Sequence, residues 1–234
     1  MRIDDIAVSP DRGSPLGFRS WLRELRALTE CTLNPPPYPA VDLPRGGGSV
    51  VLFIPGFLSG DWAMIRLRTF LESLDYRVET AGIVFNAGPT ASIITRIEKK
   101  LLRLAAEAGP VDIIGQSLGG VFARELAMRH PGRVRRVITL CSPAQFPVTT
   151  PLAPLAMMFA PLHDEALSMR GNSAAMSHDV PLTAIYSEQD GIVDWRQCLI
   201  EVSSGRKNIR VNGAHTTIGS NPDAQIAVAT ALAA

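Results

Sequence analysis

The chain has 234 residues, 46% of them hydrophobic and 19% charged, with 23 Lys+Arg against 22 Asp+Glu and a formal net charge of +1. That composition fits one folded domain with a sizeable core and is wrong for a disordered chain. The charge balance provides no global basic field to gather nucleic acid. Local clusters (Arg19, Arg23 and Arg26; Arg96, Lys99, Lys100 and Arg103; Arg133, Arg135 and Arg136) read as solvated helix faces and ends.

Residues 18–33 carry Phe18, Trp21, Leu22, Leu25 and Leu28 at helical spacing with arginines between them. The expectation is an amphipathic helix whose apolar face covers the core rather than a membrane surface. Pro35-Pro36-Pro37 stops it, and a Pro/Gly-rich connector runs to Gly48. Residues 1–48 are therefore expected to form an N-terminal helix and connector packed on a main domain, 49–234. In that domain Val50-Val51-Leu52-Phe53-Ile54 is a continuous apolar run ended by Pro55-Gly56, as suits a strand covered on both faces.

Alternation then repeats. A helix is predicted over 61–75 with Asp61 as N-cap, a strand over 76–84, a helix over 89–108, a strand over 111–114, a helix over 118–130 and a strand over 134–140. Later come a strand at 181–186, a helix near 195–203, a strand at 207–211 and a helix at 222–233. Such a sequence predicts an α/β fold: a doubly wound, mostly parallel six-stranded sheet. The rhythm breaks over 143–178, which is rich in Pro, Leu and Met. This stretch is read as a small cap-like insertion, in which Met157, Met158 and Phe159 are candidates to wall an apolar pocket.

Gly115-Gln116-Ser117-Leu118-Gly119 joins a predicted strand directly to a predicted helix. G-x-S-x-G in that context is a nucleophile elbow. Ser117 is lifted above the sheet edge, Gly115 and Gly119 leave room where strand and helix nearly touch, and the helix N-terminus favours an oxyanion. The sequence here resembles the α/β-hydrolase superfamily of serine esterases and lipases, from about Ser49 to the end. It resembles more faintly a group of small bacterial esterase-like hydrolases through Pro55-Gly56-Phe57, Asn86-Ala87-Gly88-Pro89 and Asp190-Gly191-Ile192-Val193-Asp194-Trp195.

The superfamily order of Ser, acid, His points to His215 as base, after the last predicted strand, with His178 as its rival. His130 reads as a helix C-cap, and His163 lies in the irregular segment. Asp190 matches the acid, with Asp194 and Glu188 close enough in sequence to compete. The resemblance implies backbone donors to an oxyanion at Leu118 and Phe57, although Pro55-Gly56 stands where lipases commonly have His-Gly.

What this implies is cleavage of a small-molecule carboxylic ester with an apolar acyl or alcohol part, through a Ser117 acyl-enzyme. A thioesterase, amidase or acyltransferase would use the same residues, and a non-catalytic binding module is the reading from another class. No cofactor and no metal ion are expected. Cys31, Cys141 and Cys198 are scattered and odd in number, which argues against a disulfide framework or a zinc site. With no apolar membrane span and two acids near the N-terminus where a signal peptide would be basic, the expected location is cytoplasmic.

Overall fold

The computed structural model describes residues 6–7, 16–145, 148–159 and 180–234. In chain order the strands are β1 (Ile6–Ala7), β2 (Val50–Ile54), β3 (Arg77–Thr80), β4 (Val111–Gln116), β5 (Val134–Leu140), β6 (Val148–Thr149), β7 (Leu182–Ser187) and β8 (Arg206–Val211). The α-helices are α1 (Phe18–Leu33), α2 (Ile65–Ser73), α3 (Ala91–Ala108), α4 (Leu118–Arg129), α5 (Ala153–Phe159) and α6 (Pro222–Ala233).

The main sheet has six strands in the order β3-β2-β4-β5-β7-β8, every neighbouring pair parallel. β1 pairs with β6 in a small separate sheet. The apolar run of β2 is buried throughout because successive side chains enter opposite cores. Leu52 and Ile54 join Ile113 and Val137 under α3 and α4. Val51 and Phe53 join Ile114 and Ile138 under α2 and α6. The chain moves outward from β2 to β3, then returns to the other side of β2 with β4. The crevice at the carboxyl ends of β2 and β4 is thus the switch point where ligands gather in open α/β sheets.

Three local expectations need correction. Asp61 does not cap a helix with its side chain: Gly60 precedes a 3-10 turn over Asp61–Met64, and Asp61 Oδ2 accepts from the N–H groups of Gly82 and Ile83. Asp61 thereby ties down the segment after β3. The helix expected near 195–203 is only a 3-10 turn, Trp195–Cys198. α1 also presents a face other than the apolar one to the protein: Ser20 and Glu24 are buried, while Trp21, Leu22, Leu25 and Leu28 are 39–45% exposed. Packing against the loops that follow β7 and β8 selects the face carrying Ser20 and Glu24, because Glu24 finds hydrogen-bond donors there.

Candidate active site

Ser117 stands between β4 and α4 with φ 51° and ψ −123°, a strained conformation for a residue with a Cβ. Its N–H donates to the Leu140 carbonyl of β5 at 2.9 Å. The glycines on either side are demanded by contact. A Cβ at Gly115 would lie 2.3 Å from the Gly119 carbonyl oxygen, and one at Gly119 would lie 2.1 Å from that of Ile54. α4 can begin this close to β2 and β4 only without those side chains.

The loop after β2 closes over the same point. A Cβ on Gly56 would come within 3.0 Å of Ser117 Cβ. Asn86 fixes this loop: its Nδ2 donates to the Pro55 carbonyl (2.9 Å), its own carbonyl accepts from Leu58 N–H (2.8 Å), and its N–H reaches the Ser59 carbonyl (2.8 Å). Its Oδ1 also accepts from Gly88 N–H at 3.1 Å. The Asn86-Ala87-Gly88-Pro89 segment is therefore the brace of the Pro55-Gly56-Phe57 turn. Leu118 N–H opens a helix and Phe57 N–H opens a turn, and neither finds an acceptor among the described residues.

Beyond β7 and β8 the chain brings Asp190 and His215 together. His215 Nδ1 and Asp190 Oδ2 are 2.7 Å apart, and both residues are buried. Asp190 Oδ1 accepts from the N–H groups of Ile192 and Val193, each at 2.8 Å. His215 begins a 3-10 turn over His215–Ser220. Burial alone would lower its pKa. The charge and hydrogen bond of Asp190, with a smaller push from Glu24, outweigh that and hold it above the ordinary value of 6.5. Gln116, next to Ser117, donates from Nε2 to the His215 carbonyl at 2.9 Å, linking elbow and histidine turn.

The rival residues are engaged elsewhere. Asp194 caps the Trp195–Cys198 turn by accepting from Arg196 N–H. Glu188 pairs with Arg210 at 3.3 Å. His130 meets Glu98 of α3 at 2.6 Å. His163 and His178 lie outside the described residues, as do 146–147 and 160–178 of the expected cap.

An apolar cavity of about 70 Å³ starts at Ser117, Leu118 and Phe57. Val121, Val148, Leu152, Ala156, Ile192 and Val193 extend its wall. Of the three pocket candidates, Met157 and Met158 face away from it and are 43% and 65% exposed. Helical spacing is the reason: Leu152, just before α5, and Ala156 lie four residues apart on the inward side, which turns 157 and 158 outward. Phe159 meets Phe57 edge to face, with centroids 5.9 Å apart.

Glu24 was not anticipated. An acid among the arginines of an amphipathic helix reads as surface, and nothing in the pattern marks it as buried beside His215, 191 residues later. Asn86 and Gln116 were visible within motifs but without the roles seen here. Cys141, just after β5, has φ 49°. Its Sγ forms with Asp190 and His215 the one cluster of three possible metal-ligand side chains among the described residues, their atoms within 4.8 Å of one another. Burial, with the Asp190 charge, pushes the Cys141 thiol well above its usual pKa. Cys31, Cys141 and Cys198 are all unpaired thiols. No described helix is long and apolar enough to cross a membrane.

A family model described as the alpha/beta hydrolase fold matches residues 80–165. No curated protein matches the chain. Among solved structures it is similar to a monoacylglycerol lipase from Paleococcus ferrophilus (14% identity, 81% of this chain and 96% of that one, TM-score 0.57). It is also similar to a hydrolase from Pseudomonas aeruginosa PA01 (15% identity, 82% and 93% coverage, TM-score 0.54). A thioesterase domain from the curacin biosynthetic pathway aligns with 17% identity over 82% and 93% of the two chains, TM-score 0.53. With the sheet order above, these likenesses define the fold: it is that of the α/β hydrolases.

Proposed function

We propose that the protein is a serine hydrolase that cleaves carboxylic esters with an apolar acyl chain. The observation that carries this reading is the buried 2.7 Å pair of His215 Nδ1 with Asp190, tied to the strained Ser117 turn at the carboxyl edge of the sheet by the Gln116–His215 hydrogen bond. His215 Nε2 takes the proton from Ser117 Oγ as that oxygen attacks the ester carbonyl. Asp190 holds the imidazole with its Nδ1–H and stabilises the imidazolium that forms. The N–H groups of Phe57 and Leu118 receive the negative carbonyl oxygen. Collapse of the tetrahedral intermediate expels the alcohol, which takes the proton from His215. Water then attacks the acyl carbon as His215 takes its proton, and on collapse the acid leaves while the Ser117 oxygen takes that proton back from His215.

The apolar cavity at Ser117 supports an acyl group as the part of the substrate that is bound. The test is labelling by a fluorophosphonate probe together with turnover of p-nitrophenyl esters from acetate to octanoate. Ser117-dependent labelling and hydrolysis are the expected result. A folded Ser117→Ala protein that hydrolyses these esters like the parent would overturn the reading, and a parent inert to both would make the chain a binding module.

A further inference from the structure

We propose that Glu24 of α1 is a positioning residue for the Asp190–His215 pair, holding the acid loop and the histidine turn at their working separation. The inference rests on the function proposed above. Its basis is the set of donors around one carboxylate. Oε1 accepts from Gly191 N–H (2.7 Å) and His215 N–H (2.9 Å); Oε2 accepts from Thr216 N–H (2.8 Å) and Thr216 Oγ1 (2.9 Å). One side chain thus bonds the residue that follows the proposed acid and the proposed base itself, across 167 and 191 residues of sequence.

Three further observations separate this from an ordinary helix anchor. Glu24 is 1% exposed, and among the described residues no Lys or Arg pairs with it. A buried carboxylate with no cation is costly unless backbone dipoles satisfy it fully, and here they do. Gly191 has no room for a side chain, since a Cβ would lie 2.7 Å from the Ser20 carbonyl oxygen and 2.8 Å from Glu24 Cγ, so α1 is seated directly on the acid loop. Finally, α1 leaves Trp21, Leu22, Leu25 and Leu28 exposed while turning Ser20 and Glu24 inward. Apolar burial would favour the opposite rotation, so contact with the two loops decides how the helix sits.

The carboxylate also acts on the ring through its charge. The titratable groups facing His215 are Asp190 after β7, Cys141 after β5 and Glu24 from α1, and of these Asp190 and Glu24 both favour the imidazolium. Geometry and charge therefore separate in the test.

In the full-length protein, Glu24→Gln should lower kcat by about tenfold or more with KM changed less than about twofold, because misplacing a catalytic pair affects the chemical step. The acid limb of the kcat/KM profile should move to lower pH. Glu24→Asp, which keeps the charge, should return the limb toward its parental position. A folded Glu24→Gln protein with parental kcat and limb would overturn the proposal, as would a loss of activity that merely tracks the unfolded fraction with the limb unmoved. If Glu24→Gln does not fold, Thr216→Ala decides: losing one of four donors should lower kcat about threefold at constant KM, and an unchanged kcat would overturn the idea. Ser117→Ala separates the two levels. Turnover by that variant removes the parent reading and this inference with it, whereas an inactive Ser117→Ala beside an unaffected Glu24→Gln removes only the role of Glu24.

Discussion

Asn86 and Pro55 lie 31 residues apart in sequence and are joined by a 2.9 Å hydrogen bond from the Asn86 amide to the Pro55 carbonyl, in the buried interior. That bond connects the segment after β3 to the turn that carries Phe57, whose N–H is the proposed second donor to the oxyanion. Asn86→Ala should therefore weaken transition-state stabilisation without touching Ser117 or His215. We expect kcat to fall by about ten- to a hundredfold, somewhat less than the effect of deleting an oxyanion donor outright. Steady-state kinetics on a short p-nitrophenyl ester checks this. Parental kcat in the folded variant would detach the turn's geometry from catalysis.

Asp190→Asn should reduce kcat strongly, by up to about 10⁴, because an amide at this position favours the wrong imidazole tautomer. Asp194→Asn should cost far less, since the Asp194 side chain caps a turn through Arg196 N–H and pairs with the exposed Arg196. Kinetics on the two variants in parallel makes the comparison. A loss at Asp194 that equals or exceeds the loss at Asp190 would reassign the acid.

The pH dependence follows from His215 as the proposed general base. A general base must be neutral, and Asp190 and Glu24 hold the His215 pKa above 6.5 despite burial. More of the ring is therefore protonated at a given pH than in a free histidine. The acid limb of kcat/KM should accordingly lie above 6.5, with activity falling as pH drops through it. Asp190→Asn removes the stronger of the two influences that favour the imidazolium, so whatever activity remains should show its limb displaced to lower pH. A parental limb below 6.5, or one that moves upward in the variant, would contradict this assignment of charges.

Most of the scaffold was legible because its signals are local. β2 and β5, with helices α1 and α6, fall where apolar runs, proline stops and strand-helix alternation predict them. Ser117 was legible because the strained turn demands glycines two residues to either side, and that demand leaves a motif. The helix expected near 195–203 failed because tertiary context replaced it: Tyr186 stacks on Trp195, and Asp194 caps a short 3-10 turn there through Arg196 N–H. Glu24 was illegible for a different reason. Its partners are mainly backbone N–H groups, which any residue supplies, so no pattern of side chains announces it. The wrong face of α1 followed from the same gap, since amphipathicity ranks apolar burial first and cannot see four donors waiting on the opposite side.

The wall of the cavity gives the last prediction. Ala156 is buried on the inward side of α5 and lines the cavity with Leu152, while Met158 points outward at 65% exposure. Ala156→Leu adds three carbons inside a space of about 70 Å³. Each acyl methylene that can no longer be buried forfeits roughly 0.8 kcal/mol, about fourfold in kcat/KM. Acetate, which need not reach α5, should be hydrolysed within about twofold of the parental rate, whereas discrimination against butyrate, hexanoate and octanoate should grow step by step. Met158→Glu should leave the chain-length profile of the folded protein unchanged, since a charge there stays in solvent. Equal loss on acetate and octanoate in Ala156→Leu, or a selective loss on long chains in Met158→Glu, would place the acyl chain elsewhere and return the outward face of α5 to consideration.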